Sequence, residues 1–177
     1  MNSSRLIILM TIILGSFSGV DALADHETNI TARVGFSTHI IYEDFMLYDI
    51  FFVQQLASFS SQVSPSDFKI QLHAQAGELS AAGEKGILAS IGPAIAWKKP
   101  ASWISLAAGT NLAYVSNFHF GNAHIGGPIQ FFSHLLIECI FTNRLGISYN
   151  FQHLSNAEIY YHNPGINFHS FGLVFYF

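Results

Sequence analysis

Leu145, Ile147, Tyr149 and Phe151 alternate with Gly146, Ser148, Asn150 and Gln152, the period-2 pattern of a β-strand whose two faces meet different surroundings. His153 and Ser155 continue the apolar row. A second run, from Ile166 to Phe177, follows Tyr160-Tyr161-His162-Asn163-Pro164-Gly165, which holds the residues of tight or irregular turns. An antiparallel hairpin with His153 opposite Asn167 sets Phe151 against His169, Tyr149 against Phe171, Ile147 against Leu173 and Leu145 against Phe175. That register lines one face with apolar pairs and gathers His153, Ser155 and Asn167 at one end, and face pattern is what fixes register.

The same reading extends upstream. Ile30, Ala32, Val34 and Phe36 alternate with Thr31, Arg33, Gly35 and Ser37, predicting a first strand over residues 29–40. Tyr42-Glu43-Asp44 reads as a turn and residues 45–56 as a Phe-rich second strand. After a Ser-rich loop over 58–67 containing Pro65, Phe68, Ile70, Leu72, Ala74 and Ala76 alternate with Lys69, Gln71, His73 and Gln75. The small residues of 78–85 read as a loop. Residues 87–97 form a fourth strand in which Pro93 demands a bulge or an unpaired amide. Lys98-Lys99-Pro100 is a turn, 103–114 a fifth strand, 117–127 a loop rich in Asn, His and Gly, 129–141 a sixth strand, and Thr142-Asn143-Arg144 a turn. The terminal hairpin supplies the seventh and eighth strands.

Composition decides what surrounds these strands. The chain is 50% hydrophobic and 15% aromatic but only 10% charged, with mean hydropathy +0.35, where about a quarter charged is usual for a soluble domain. Beyond the N-terminus no apolar run approaches the 18 or so residues of a transmembrane helix. Apolar side chains without helical spans leave two choices, a large buried core or a barrel with its apolar side chains outward; scarce charge favours the second, an all-β fold, an eight-stranded antiparallel transmembrane β-barrel of the bacterial outer membrane. Residues 1–24 read as a cleaved signal peptide, with Arg5, the apolar stretch 6–14 and the small-x-small site Ala22-Leu23-Ala24. Residues 25–177 form a single barrel domain.

A net charge of −4 argues against a nucleic-acid footprint, which would need a basic stripe. One cysteine, Cys139, excludes an intramolecular disulfide and reads as a packed or lipid-facing thiol. The sequon Asn29-Ile30-Thr31 is too short a match to carry weight. His39, His73, His119, His124, His134, His162 and His169 show no metal-ligand spacing with cysteines or acids and read as loop or interface residues. No metal and no cofactor is expected.

His153-x-Ser155-Asn156-Ala157 followed by Asn163-Pro164-Gly165-Ile166-Asn167 resembles the C-terminal signature of the outer-membrane lipid A 3-O-deacylases, the PagL family. The resemblance covers about the last 30 residues. It implies an eight-stranded outer-membrane barrel and a serine esterase that hydrolyses the 3-position acyl ester of lipid A in lipopolysaccharide. His153 is then the base, Ser155 the nucleophile, Asn167 the third catalytic residue, Asn156 an oxyanion-side residue, and Asn163 and Gly165 residues that shape the loop. The family pattern has an acid where this chain has Asn167; Glu158, in the adjacent loop, is a candidate substitute. The last strand, with Phe171, Leu173, Phe175 and Phe177, resembles the aromatic-terminated strand that such barrels present to the barrel assembly machinery. The expected partners are lipid A, outer-membrane lipid and that machinery, and not nucleic acid; a homodimer is left open.

Depth agrees with this chemistry. Asn167 to Phe177 descends roughly 25 Å at about 3.3 Å per residue and a tilt near 40°, the height of an apolar band, so the three polar residues fall near the outer-leaflet interface. Serine needs a base to accept its proton, and histidine is the usual one. Two other readings stand beside the esterase. One is a non-enzymatic barrel of the same fold, structural or adhesive. The other is a periplasmic lipid-binding barrel with its apolar side inward.

Overall fold

The computed structural model describes residues 28–38, 43–60, 67–99 and 102–177. The expected signal peptide, His39 and the middle of the Ser-rich loop lie outside them. The chain folds as β1 (Thr28–Thr38), β2 (Met46–Ser60), β3 (Asp67–Ala81), β4 (Glu84–Lys98), β5 (Ile104–Val115), a two-residue pair β6 (His119–Phe120) and β7 (Ala123–His124), then β8 (Ile129–Ile140), β9 (Leu145–Ser155) and β10 (Ile166–Tyr176). Eight of these strands close in the order β1-β10-β9-β8-β5-β4-β3-β2, antiparallel at every seam. Closure leaves no strand edge unpaired, the condition for crossing a bilayer with strands.

Alternation assigns the two faces. Ile87, Ile91 and Ile95 of β4 and Ile147, Phe171 and Leu173 of the last hairpin are exposed outside, whereas Ser148, Asn150, Gln152 and Ser170 from the same hairpin are buried inside. Apolar-out and polar-in is the arrangement of a membrane barrel. It overturns the reading of a lipid-binding barrel with its apolar face inward. Asn29 of the sequon is also buried inside, and Cys139 is half-buried in the outward row of β8.

The lumen is filled. At the rim that holds the turn after β3, Phe45, Leu47, Leu79, Leu88, Phe120, Ile125, Phe132, Leu154 and Phe168 form a packed apolar plug. Below it Arg33 Nε donates to Asp49 Oδ1 at 2.7 Å with both side chains fully buried. The guanidinium lies 3.9 Å over the Phe51 ring, and Gln75 donates to the second Asp49 oxygen at 2.9 Å. His73 Nδ1 and His134 Nε2 meet at 2.9 Å, with Gln71 on the far side of His73.

Three expectations are revised. Residues 78–85 are not a loop: β3 runs on to Ala81 and β4 starts at Glu84, joined by Ala82 and Gly83 with φ of 52° and 80°. Two successive left-handed residues make the tight turn that matches strand twist; Leu79 and Ala81 carry the inward face on into the plug. The loop after β5 contains the β6–β7 hairpin, turning at Gly121 with φ 56°. The second strand continues past a bulge between Gln55 and Ala57. Of the two options at Pro93, the structure takes the unpaired amide. The β4–β5 ladder skips Gly92 and Pro93 and resumes in the same register.

The Arg33–Asp49 pair yields a stability prediction. Removing one partner strands the other charge, so Arg33→Met and Asp49→Asn should each destabilise by about 3–5 kcal/mol. The measurement is the temperature at which the folded, fast-migrating gel band converts to the unfolded one; an unchanged midpoint contradicts the assignment.

Candidate functional site

The β9–β10 ladder has the register read from the sequence, Asn167 opposite His153 and His169 opposite Phe151, down to Phe175 opposite Leu145. His153, Ser155 and Asn167 are half-buried on the outer face at one rim. Asn167 Oδ1 lies 2.7 Å from His153 Nδ1. An amide oxygen can only accept, so Nδ1 is the donor, and in the neutral ring this leaves the lone pair on Nε2. Ser155 lies two residues beyond His153 on the same face. Glu158 is exposed on the turn beyond Ser155 with φ 64°; the position against Nδ1 belongs to Asn167.

Polar groups continue sideways from this pair. In register across the wall stand Thr38 on β1, Asn167, His153, Ser133 on β8 and Thr110 on β5. Ser133 and Thr110 share a hydrogen bond of 3.1 Å. A row of polar side chains on a lipid-facing surface carries a desolvation penalty.

The loop after Ser155 is held from inside. Asn156 is fully buried on the inner face. Its side-chain amide donates to the His162 carbonyl at 2.6 Å and the Ile125 carbonyl at 3.2 Å, and its backbone N–H donates to Asn163 Oδ1 at 3.0 Å. All three of its donors are therefore engaged within the fold. Ala157 and Glu158 follow with φ of 50° and 64°, closed by a 3.0 Å bond from the Ile159 N–H to the Asn156 carbonyl. Gly165, with φ 63°, lies against the imidazole: a Cβ there would sit 3.0 Å from His153 Cε1.

Sequence reasoning missed the neighbours that anchor this loop. Gln130 donates to the carbonyls of Ile125 and Gly127 at 2.9 and 2.7 Å, and Tyr160 packs over Gly127 while its hydroxyl accepts from the Ile129 N–H at 3.3 Å. The Gly126-Gly127 doublet was the available signal. Above them His119 and His124 lie 4.1 Å apart between ring centroids, and His124 and His162 4.6 Å apart, clasping the β6–β7 hairpin to the loop. Desolvation within the stack, and then the neighbouring His119 and His162 rings, hold the His124 pKa below its ordinary value.

Comparison with known proteins adds a name to this geometry. The family described as Lipid A 3-O-deacylase (PagL) matches residues 47–175. The chain belongs to the lipid A 3-O-deacylase (PagL) family. A crystal structure titled as that of the outer membrane enzyme PagL superposes with a TM-score of 0.66 at 19% identity, covering 82% of this chain and 97% of that one, which establishes a shared fold. No curated protein matches the chain in sequence. Asn167 places an acceptor on the imidazole, and a neutral one.

Gly165→Val tests how the loop fixes the imidazole. It forces a β-branched residue into a left-handed position, at about 1–2 kcal/mol, and pushes His153 aside. Lipid A deacylation should fall roughly a hundredfold while the folded gel band persists; undiminished activity rules out this role for Gly165.

Proposed function

We propose that this protein removes the 3-position acyl chain of lipid A as a serine esterase, with Ser155 as nucleophile, His153 as base and Asn167 as the group that orients the imidazole. The supporting observation is the His153–Asn167 hydrogen bond, on the lipid-facing side of the rim and on the same face as Ser155. Lipid A occupies the outer leaflet, so a site facing that leaflet meets its acyl esters without extracting the lipid.

The chemistry follows from the tautomer. His153 Nε2 takes the Ser155 proton as Oγ attacks the ester carbonyl carbon. Collapse of the tetrahedral intermediate breaks the bond to the sugar 3-oxygen, which receives that proton from His153. The acyl-serine is cleared by a water that His153 deprotonates, releasing a 3-hydroxy fatty acid and restoring Ser155. In this reading Asn156, with no donor to spare, organises the loop together with Asn163 and Gly165 instead of serving the oxyanion. Asn167 fixes the imidazole but cannot stabilise its charged form as a carboxylate does. No cofactor enters.

The same reading sets the setting. The barrel resides in the outer membrane, with the Ser155 rim at the outer surface. Residues 1–24 are removed on export, and insertion uses the assembly machinery that reads an aromatic last strand.

Mass spectrometry of lipid A from a Gram-negative host expressing the chain should show loss of one 3-hydroxyacyl group. Ser155→Ala and His153→Asn should each abolish that loss in well-inserted protein. An unchanged profile with the native chain would favour the non-enzymatic barrel. Asn167→Glu should raise the rate roughly five- to tenfold, the gain from an ionised hydrogen-bond partner over a neutral one; a fall would show that Asn167 is matched to this site as it stands.

A further inference from the structure

Three histidines at the outer rim take no part in the mechanism. His119 and His124 face each other across the β6–β7 hairpin, their ring centroids 4.1 Å apart. His162, from the loop between β9 and β10, meets His124 at 4.6 Å. Phe118 packs against His119 and His124 at 4.9 and 5.9 Å, and Tyr161 lies edge-on to His162 at 5.1 Å. His124 is thus the middle ring of three, with one neighbour on its own hairpin and one on the loop that follows Ser155. This contact is continuous with the groups that hold the loop. The carbonyls of His162 and of Ile125, next to His124, are the two that the Asn156 side-chain amide binds. Gly126 lies against both the His162 carbonyl and that amide, with no room for a side chain.

We propose that the three-ring stack is a pH-sensitive latch: with its imidazoles neutral it holds the β6–β7 hairpin against the loop after Ser155, and in mild acid their charges push the two apart. The charges around the rings support it. Glu43 accepts from the Asn122 N–H at the tip of the hairpin at 3.0 Å, and Glu84 accepts from the Asn117 side chain at its base at 3.3 Å. Lys85 pairs with Glu78 at 2.8 Å, and Glu158 is exposed on the loop. Among the described residues no carboxylate forms an ion pair with any of the three rings, so protons taken up by the stack meet no counter-ion there. Two imidazolium charges about 4 Å apart repel enough to shift an equilibrium about fivefold even at the dielectric of water. His124 adjoins two such neighbours.

The middle ring sets the direction. Desolvation, and then His119 and His162, hold the His124 pKa down, below the ordinary imidazole value of about 6.5, so the closed stack prefers the neutral form. The latch is therefore tight above about pH 6.5 and loosens as the pH falls below it, most of all as His124 itself takes up a proton. Release of the hairpin withdraws the Ile125 carbonyl from Asn156 and slackens the end of β9 that carries Ser155. The effect on catalysis rests on the esterase reading above: deacylation falls in acid more steeply than protonation of one base, His153, accounts for.

The experiment follows hydrogen exchange in the full-length mature barrel in detergent at about pH 7.5 and about pH 5.0, either side of the imidazole range. Rates are expressed as protection relative to an unstructured chain at the same pH. Protection over residues 117–127 should fall roughly twentyfold in the native protein, from two adjacent charged pairs at about fivefold each, while the strands below the rim keep theirs. His124→Phe, which keeps a ring in the stack without a charge, should remove most of that fall. His162→Phe, which takes the charge off the loop side, should do the same, and either variant that holds its protection in acid supports the latch. No fall in the native protein, a fall that both variants retain, or protection already lost at the higher pH in both variants overturns it. The second readout is the acid limb of kcat/KM for lipid A. It should be steeper than about tenfold per pH unit in the native protein and close to tenfold in His124→Phe; equal slopes overturn the coupling to the site. Loss of protection in a protein that deacylates at neither pH removes the esterase reading and leaves the latch.

Discussion

Hydrocarbon offers no hydrogen-bond partners, and that single fact governs the molecule. Every backbone N–H and C=O of a membrane-spanning strand has to be met by a neighbouring strand, which is why the sheet closes on itself between β1 and β10. The same constraint sorts side chains. Ile87, Ile95 and Leu112 stand outside and Arg33, Asp49, Gln75 and Gln152 inside, where Arg33 and Gln75 both donate to Asp49 and Gln152 donates to Gln75. Even Pro93, which has no N–H to give, sits where the ladder is interrupted without a change of register.

Against that background each polar group on the outer wall needs an account. The His153–Asn167 pair, the Ser133–Thr110 pair and the Tyr149–His169 pair lie within one patch near one rim. Each is internally hydrogen-bonded, which lowers the penalty of facing lipid, and the patch adjoins Ser155. The inner face beneath it supplies rigidity. Asn156 holds two carbonyls from different loops, so the strand end that carries Ser155 is pinned from within while its outer face stays open.

Much of this was legible in the sequence because period-2 alternation reports burial directly. The final hairpin illustrates the point: the register that pairs its apolar row and sets His153 opposite Asn167 is the one the structure adopts residue for residue. The Ala82–Gly83 turn was not legible, since alanine is a poor marker of a left-handed position. The β6–β7 hairpin was too short to show a period. At the site, the face shared by His153, Ser155 and Asn167 followed from spacing alone. The duties of Asn156, Gln130 and Tyr160 did not, because they depend on which carbonyls two separate loops bring together, and that is a tertiary fact.

The packed lumen has one more implication. A barrel stoppered at one rim by Phe120, Phe132 and Phe168 is closed there to a lipid or a fatty acid, and the side chains proposed for the chemistry, His153 and Ser155, look outward. Supply and clearance then run in two dimensions, through lateral diffusion within one leaflet. Its pace would be governed by the fluidity and crowding of that leaflet instead of by the opening of a gate.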